Sequence, residues 1–80
     1  MADHHQHQHI AMAAGSGETL DQAIFNAVAG LTDPKGHHGN LTFDAFEVVT
    51  IKGGIAHKPG EHGTPARVRV TIQAAGTHTK

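Results

Sequence analysis

Phe46-Glu47-Val48-Val49-Thr50-Ile51-Lys52-Gly53-Gly54-Ile55 is dense in β-branched and aromatic side chains, the residue types that suit a pleated, half-buried surface. Phe46, Val48 and Thr50 alternate with Glu47, Val49 and Ile51, so both faces of the strand carry apolar groups and neither is fully solvated. Gly53-Gly54 points to a bulge or a close backbone approach. The β-rich character begins upstream at Leu41. A second strand follows from Arg67 to Ala74, with Val68, Val70 and Ile72 on one side and Arg67, Arg69, Thr71 and Gln73 on the other. The intervening residues, His57 to Pro65, read as a turn region centred on Pro59-Gly60.

Upstream of this pair of strands the period changes. Ile10 to Ala14 is short and apolar and reads as a first strand, ended by Gly15-Ser16-Gly17. Ser16 is the expected helix cap, since its hydroxyl can accept a free amide of the first turn. Glu18 is expected in that turn, where a negative charge meets the positive end of the helix dipole. From Thr19 to Leu31, Leu20, Ile24, Ala27, Val28 and Leu31 form one apolar stripe at helical spacing, and Phe25 widens the buried face. Asp33-Pro34 ends the helix, because a residue before proline disfavours the helical region. Lys35 to Asn40 is a loop. The predicted fold is α+β, in the order β-α-β-β, with one helix packed on a three-stranded antiparallel sheet. It occupies residues 10–75, after a flexible His-rich tract over residues 1–9 and before a polar tail over residues 76–80.

Eighty residues make one domain. A chain of this length buries only about 60–65% of the surface that its unfolded form exposes, and one small core leaves a net margin near zero. With no cysteine in the chain, disulfides cannot supplement that core. A metal, a ligand or oligomerisation remains. A strand from Phe43 to Ile55 spans roughly 40 Å at about 3.3 Å per residue, whereas a compact chain of this size is about 30 Å across. The far part of the hairpin needs something else to pack on, and another copy of the same chain is the simplest partner.

The formal net charge of −1, with three Phe and no Tyr or Trp, excludes the basic, base-stacking surface of a nucleic-acid binder. No apolar run approaches the roughly 20 residues of a membrane helix, and no charged start followed by an apolar stretch marks a signal peptide. A cytoplasmic protein is expected. No catalytic set emerges either. Ser16 is the one serine, Glu47 is expected to pair with Arg67 or Arg69 across the sheet, and the chain reads as a non-enzyme.

Nine histidines in this length are unusual. Histidine is the commonest side-chain ligand for transition metals. In an extended chain His5, His7 and His9 point to one side, a spacing that can chelate zinc, copper(II) or nickel. The alternating His-Gln pattern also has the look of an affinity tag, which carries no function of its own. His37 and His38 sit in a glycine-flanked loop. His57 and His62 flank a turn in which Glu61 can add an oxygen ligand. His78 is alone in the tail and reads as solvated.

The ordered set of segments resembles the dodecin family. Ile10-Ala11-Met12-Ala13-Ala14-Gly15 looks like the family's first strand, Ser16-Gly17-Glu18-Thr19 like its Ser-x-Glu-Ser helix start, and Ala23-Ile24-Phe25-Asn26-Ala27-Val28 like its Ala-Ile-x-x-Ala-Val helix. Asn40-Leu41 and Phe46 to Ile55 resemble the second strand, and Val68-Arg69-Val70-Thr71-Ile72 the third. The resemblance implies a hollow assembly of twelve subunits, and many members of the family bind flavin. Flavin-binding members stack the ring on a Trp where this chain has Ala45, and hydrogen-bond it with a Gln near the start of the third strand, at or close to Pro65 here. Flavin binding is therefore not expected, unless through a non-standard pocket at Phe43, Ala45 and Phe46. In a symmetric assembly one histidine per chain becomes a ring of three around an axis. The expected function is that of a homo-oligomeric binding or storage protein, with a divalent transition metal (Zn, Ni or Cu) as cargo. Flavin sequestration and a purely structural or partner-docking shell are the alternatives.

Overall fold

The computed structural model describes residues 8–78. Most of the His-rich tract, including the candidate ligands His5 and His7, lies outside these residues. The order of elements is β1 (Gln8–Gly17), α1 (Leu20–Leu31), β2 (Leu41–Phe43), β3 (Glu47–Ala56) and β4 (Thr64–His78). The described residues are α+β, with one helix and an antiparallel sheet of four strands.

β4 is the centre of the sheet. β1 runs along one edge of it, from Gly17 opposite Val68 to Gln8 opposite Thr77. β2 and β3 both pair with β4 over residues that β1 also pairs, so they lie end to end along the other edge. The three-stranded sheet expected from the sequence is corrected here. The single strand read from Leu41 to Ile55 is two, because Asp44-Ala45-Phe46 leaves the ladder. Asp is among the residues depleted in strands, and pairing resumes at Glu47 opposite Gln73.

The alternation on β4 builds the core. Val68, Val70, Ile72 and Ala74 are buried, and they meet Ala11 of β1 and Ala23, Ala27 and Leu31 of α1. No polar or charged side chain is buried among the described residues. The helix turns most of the expected stripe inward, with Ala27 and Leu31 buried and Ile24 and Val28 packed on the core, but its innermost row takes in Ala23 and leaves out Leu20 and Phe25. Ala23 and Ala27 are fully buried, Ile24 and Val28 are half-buried, and Leu20 and Phe25 are exposed, Phe25 by 67%. Gly15 is the cause. A Cβ placed on it would lie 2.3 Å from the Ala27 amide nitrogen and 2.4 Å from the Ala23 carbonyl oxygen. The helix rests on bare strand backbone, and only small residues fit at that contact.

The helix cap is Thr19, not Ser16. The Thr19 hydroxyl accepts from the Gln22 amide at 3.2 Å, and Asp21, rather than Glu18, is the acid of the first turn. Ser16 stays in β1, opposite Arg69, because pairing with β4 continues through Gly17. Its carbonyl accepts from Asn26 Nδ2 at 2.7 Å, which ties the strand end to the helix.

The β3–β4 pair is long and irregular. One extra residue enters β3 between Val48 and Thr50, and one enters β4 opposite Lys52 to Gly54, after which the original register returns. Arg67, at the second irregularity, has φ 51°. The expected pairing of Glu47 with an arginine does not occur in this register, since Glu47 faces Gln73 and Arg69 faces Lys52. The molecule measures 66 × 26 × 14 Å with a radius of gyration of 16.7 Å, against about 12 Å for a compact chain of this length. α1 packs on β1 and β4 and does not reach β3.

Candidate functional site

Four histidines converge at one end of the sheet. Residues 9, 11, 13 and 15 of β1 share the face that carries the helix, and so do residues 74, 76 and 78 of β4, because side chains alternate along a strand and His9 pairs with Gly76. Leu41 of β2, opposite His78, and Phe43, opposite Gly76, share it too. This face continues beyond Leu31, the last residue of the helix. There the loop after α1 brings His37 and His38 over the sheet. His9, His37, His38, His78, Asn40 and Leu41 line a cleft of about 390 Å³.

Within this cleft His9 and His78 are in contact. Their Nε2 atoms lie 3.0 Å apart, and the rings meet edge to face with centroids 4.7 Å apart at 89°. They are offset by two residues in register, a diagonal relation within reach of long side chains. His38 is half-buried and stands edge-on to Phe43, with centroids 6.4 Å apart. Phe43 in turn covers Gly76, where a Cβ would come within 2.7 Å of its ring. The chain of contacts therefore runs from His38 through Phe43 to the strand residue that faces His9.

The tail expected after residue 75 is strand, since β4 runs on to His78. The solitary reading of His78 is corrected on that ground, although its side chain is exposed as expected. A strand-terminal histidine separated by 69 residues from its contact leaves no local sequence signal. Only the β1–β4 register reveals it.

The other candidate residues lie elsewhere. His57, Glu61 and His62 are exposed around the turn that joins β3 to β4. His57 is one wall of a cleft of about 640 Å³ formed with Ile51, Ile55, Pro65 and Val68 of the β3–β4 hairpin. Ala45 and Phe46 line a smaller cleft of about 360 Å³ with Ile10, Asp44, Glu47, Gln73, Ala74 and Ala75, at the break between β2 and β3. Phe43 does not join them, because it packs on the core. Among the described residues, no three His, Cys, Asp or Glu side chains are already gathered closely enough to hold a metal ion, and no helix is long and apolar enough to cross a membrane. Comparison of the chain with protein-family models, with curated proteins and with solved structures gave no match.

Proposed function

We propose that this chain is the non-enzymatic, cytoplasmic subunit of a homo-oligomer, of the twelve-subunit kind that its sequence resembles, and that the assembly binds or stores a divalent transition metal through histidine. The observation that carries the reading is the uncovered half of the sheet. Val48 and Ile51 pair with Ile72 and Val70 and so share the face on which the helix sits. The helix stops short of them, and they are 38% and 56% exposed. Phe46, just before β3, and Ile55 within it extend the apolar strip, and Ile10 and Met12 are exposed on the opposite face of β1. Taking such a side chain from full exposure to full burial is worth about 1.5–3 kcal/mol, so completing the burial of several partly exposed ones is large against the margin of a domain this small. A second copy supplies that cover without any new sequence. The four-histidine cleft at the other end supports a metal as the cargo.

Sizing of the full chain at low micromolar concentration tests the assembly. A mass several times 8.4 kDa is expected, and Ile51→Asp is expected to lower it, because an unpaired charge at a desolvated contact is costly. A folded species of 8.4 kDa at that concentration would overturn the reading, since obligate oligomers have no stable free subunit.

A further inference from the structure

The contact between His9 and His78 admits two chemistries. Two neutral imidazoles can share one hydrogen, with one Nε2 donating and the other accepting. Two imidazoles that both carry their proton on Nδ1 instead present two lone pairs to one cation. For a tetrahedral zinc with Zn–N of about 2.0–2.1 Å, the two nitrogens stand about 3.3 Å apart. The observed 3.0 Å is within a few tenths of an ångström of that spacing, so the two nitrogens already stand at nearly the separation of a two-ligand claw. His38 lines the same cleft.

We propose that His9 and His78, with His38 as third ligand, form a transition-metal clasp that joins the first and last strands of the sheet. The proposal rests on the histidine–metal reading above and goes beyond it, because it gives the ion a structural role in this chain. His9 and His78 are 69 residues apart in sequence and adjacent only when β1 is paired with β4. Unfolding separates them and returns the ion to solution. A ligand that binds the folded chain alone stabilises it by mass action. His38 completes the site from the loop, which closes on the pair when the ion arrives and holds the helix C-terminus and β2 against the sheet end. All ligands are imidazoles, so the cation is of the borderline class, zinc or copper(II), rather than calcium or magnesium.

The test uses the full chain with His4, His5 and His7 changed to Ala, which silences the N-terminal tract. Zinc and copper(II) are titrated separately, and metal uptake and the urea midpoint are both measured at fixed protein concentration. One ion per chain is expected. At free metal one hundred times Kd, the unfolding equilibrium should shift about a hundredfold. His9→Gln and His78→Gln keep a hydrogen-bonding side chain of similar reach, and each should abolish both uptake and shift. His38→Ala should weaken uptake at least tenfold, and His37→Ala much less. His57→Ala with His62→Ala should change neither. If uptake survives His9→Gln and His78→Gln and is lost in the His57→Ala, His62→Ala variant, the clasp is wrong and the metal reading stands. Uptake of normal strength with no shift in the midpoint also overturns the clasp. If the starting chain takes up no metal, both readings fall together.

Discussion

Gly15 and Ala27 meet backbone to backbone: a single methyl group on Gly15 would sit 2.3 Å from the Ala27 amide nitrogen. No side-chain rotation relieves that clash, because the obstacle is the helix itself. Gly15→Ala is expected to cost about 1–3 kcal/mol or more, the usual scale of overpacking. Gly30 is the control. It lies in the same helix, and a methyl group added there would meet nothing within 4 Å, so Gly30→Ala should stabilise by about 1 kcal/mol through helix propensity. Urea midpoints at one protein concentration distinguish the two, and equal effects would contradict the packing described above.

Thr19 caps the helix through the Gln22 amide, and Ser16 does not. Thr19→Ala should therefore cost about 1 kcal/mol. Ser16→Ala should have little effect on stability, since its hydroxyl makes only a 3.4 Å contact with Arg69 Nη1. A reversed order in a denaturation series would restore Ser16 as the cap.

Arg67 holds φ at 51°, a region that costs an L-residue roughly 1–2 kcal/mol. Glycine adopts it without that penalty, although it loses more chain entropy on folding. Arg67→Gly is expected to be neutral or to stabilise by up to about 1 kcal/mol. Arg67→Val should destabilise by more than about 1 kcal/mol, because β-branched residues are outliers there. Thermal midpoints at fixed concentration check both.

The cleft that holds Ala45 offers a flavin no Trp or Tyr plane, only the smaller ring of Phe46. Riboflavin titrated into the full chain should show no submicromolar quenching. Ala45→Trp should raise affinity, with about 1–3 kcal/mol available from stacking of a ring on an aromatic side chain. Tight quenching by the unaltered chain would contradict the expectation, and no gain in the Ala45→Trp variant would show that the cleft does not present residue 45 to a ring.

Much of the fold is legible in the residues. The alternation of Val68, Val70 and Ile72 marks the buried face of β4, Asp33-Pro34 marks the end of the helix, and Pro59-Gly60 marks the turn. The misreadings share one physical origin, which is contact at long sequence separation. Gly76, Thr77 and His78 are polar or small and read as tail, yet they are strand because Gln8, His9 and Leu41–Phe43 flank them. Ile24 and Val28 outweigh Ala23 in any apolar stripe, and only the bare backbone of Gly15 explains why the small residues point inward. Ser16 and Thr19 are both good caps locally, and the pairing of Gly17 with Val68 decides between them. Of the residues that line the histidine cleft, His9, His37 and His38 are already candidate ligands in the sequence. Their partner His78 is not.

The paired irregularities of β3 and β4 bear on how such a chain avoids solidifying. Phe46 to Ile51 combines high β-propensity with a single charge and no proline or glycine, the composition of a fibril-forming segment, and β3 lies at the outer edge of its sheet. A straight edge of this kind offers an unbroken row of free amides and carbonyls to any strand that arrives. The extra residue at Val48–Thr50 interrupts that row in the middle of the segment, and bulges also bend a strand and increase its local twist. Flat, repeated stacking in one direction is thereby frustrated, while contact through the side chains of Val48 and Ile51 remains open. The bulge thus works against edge-to-edge growth of filaments while leaving those side chains exposed.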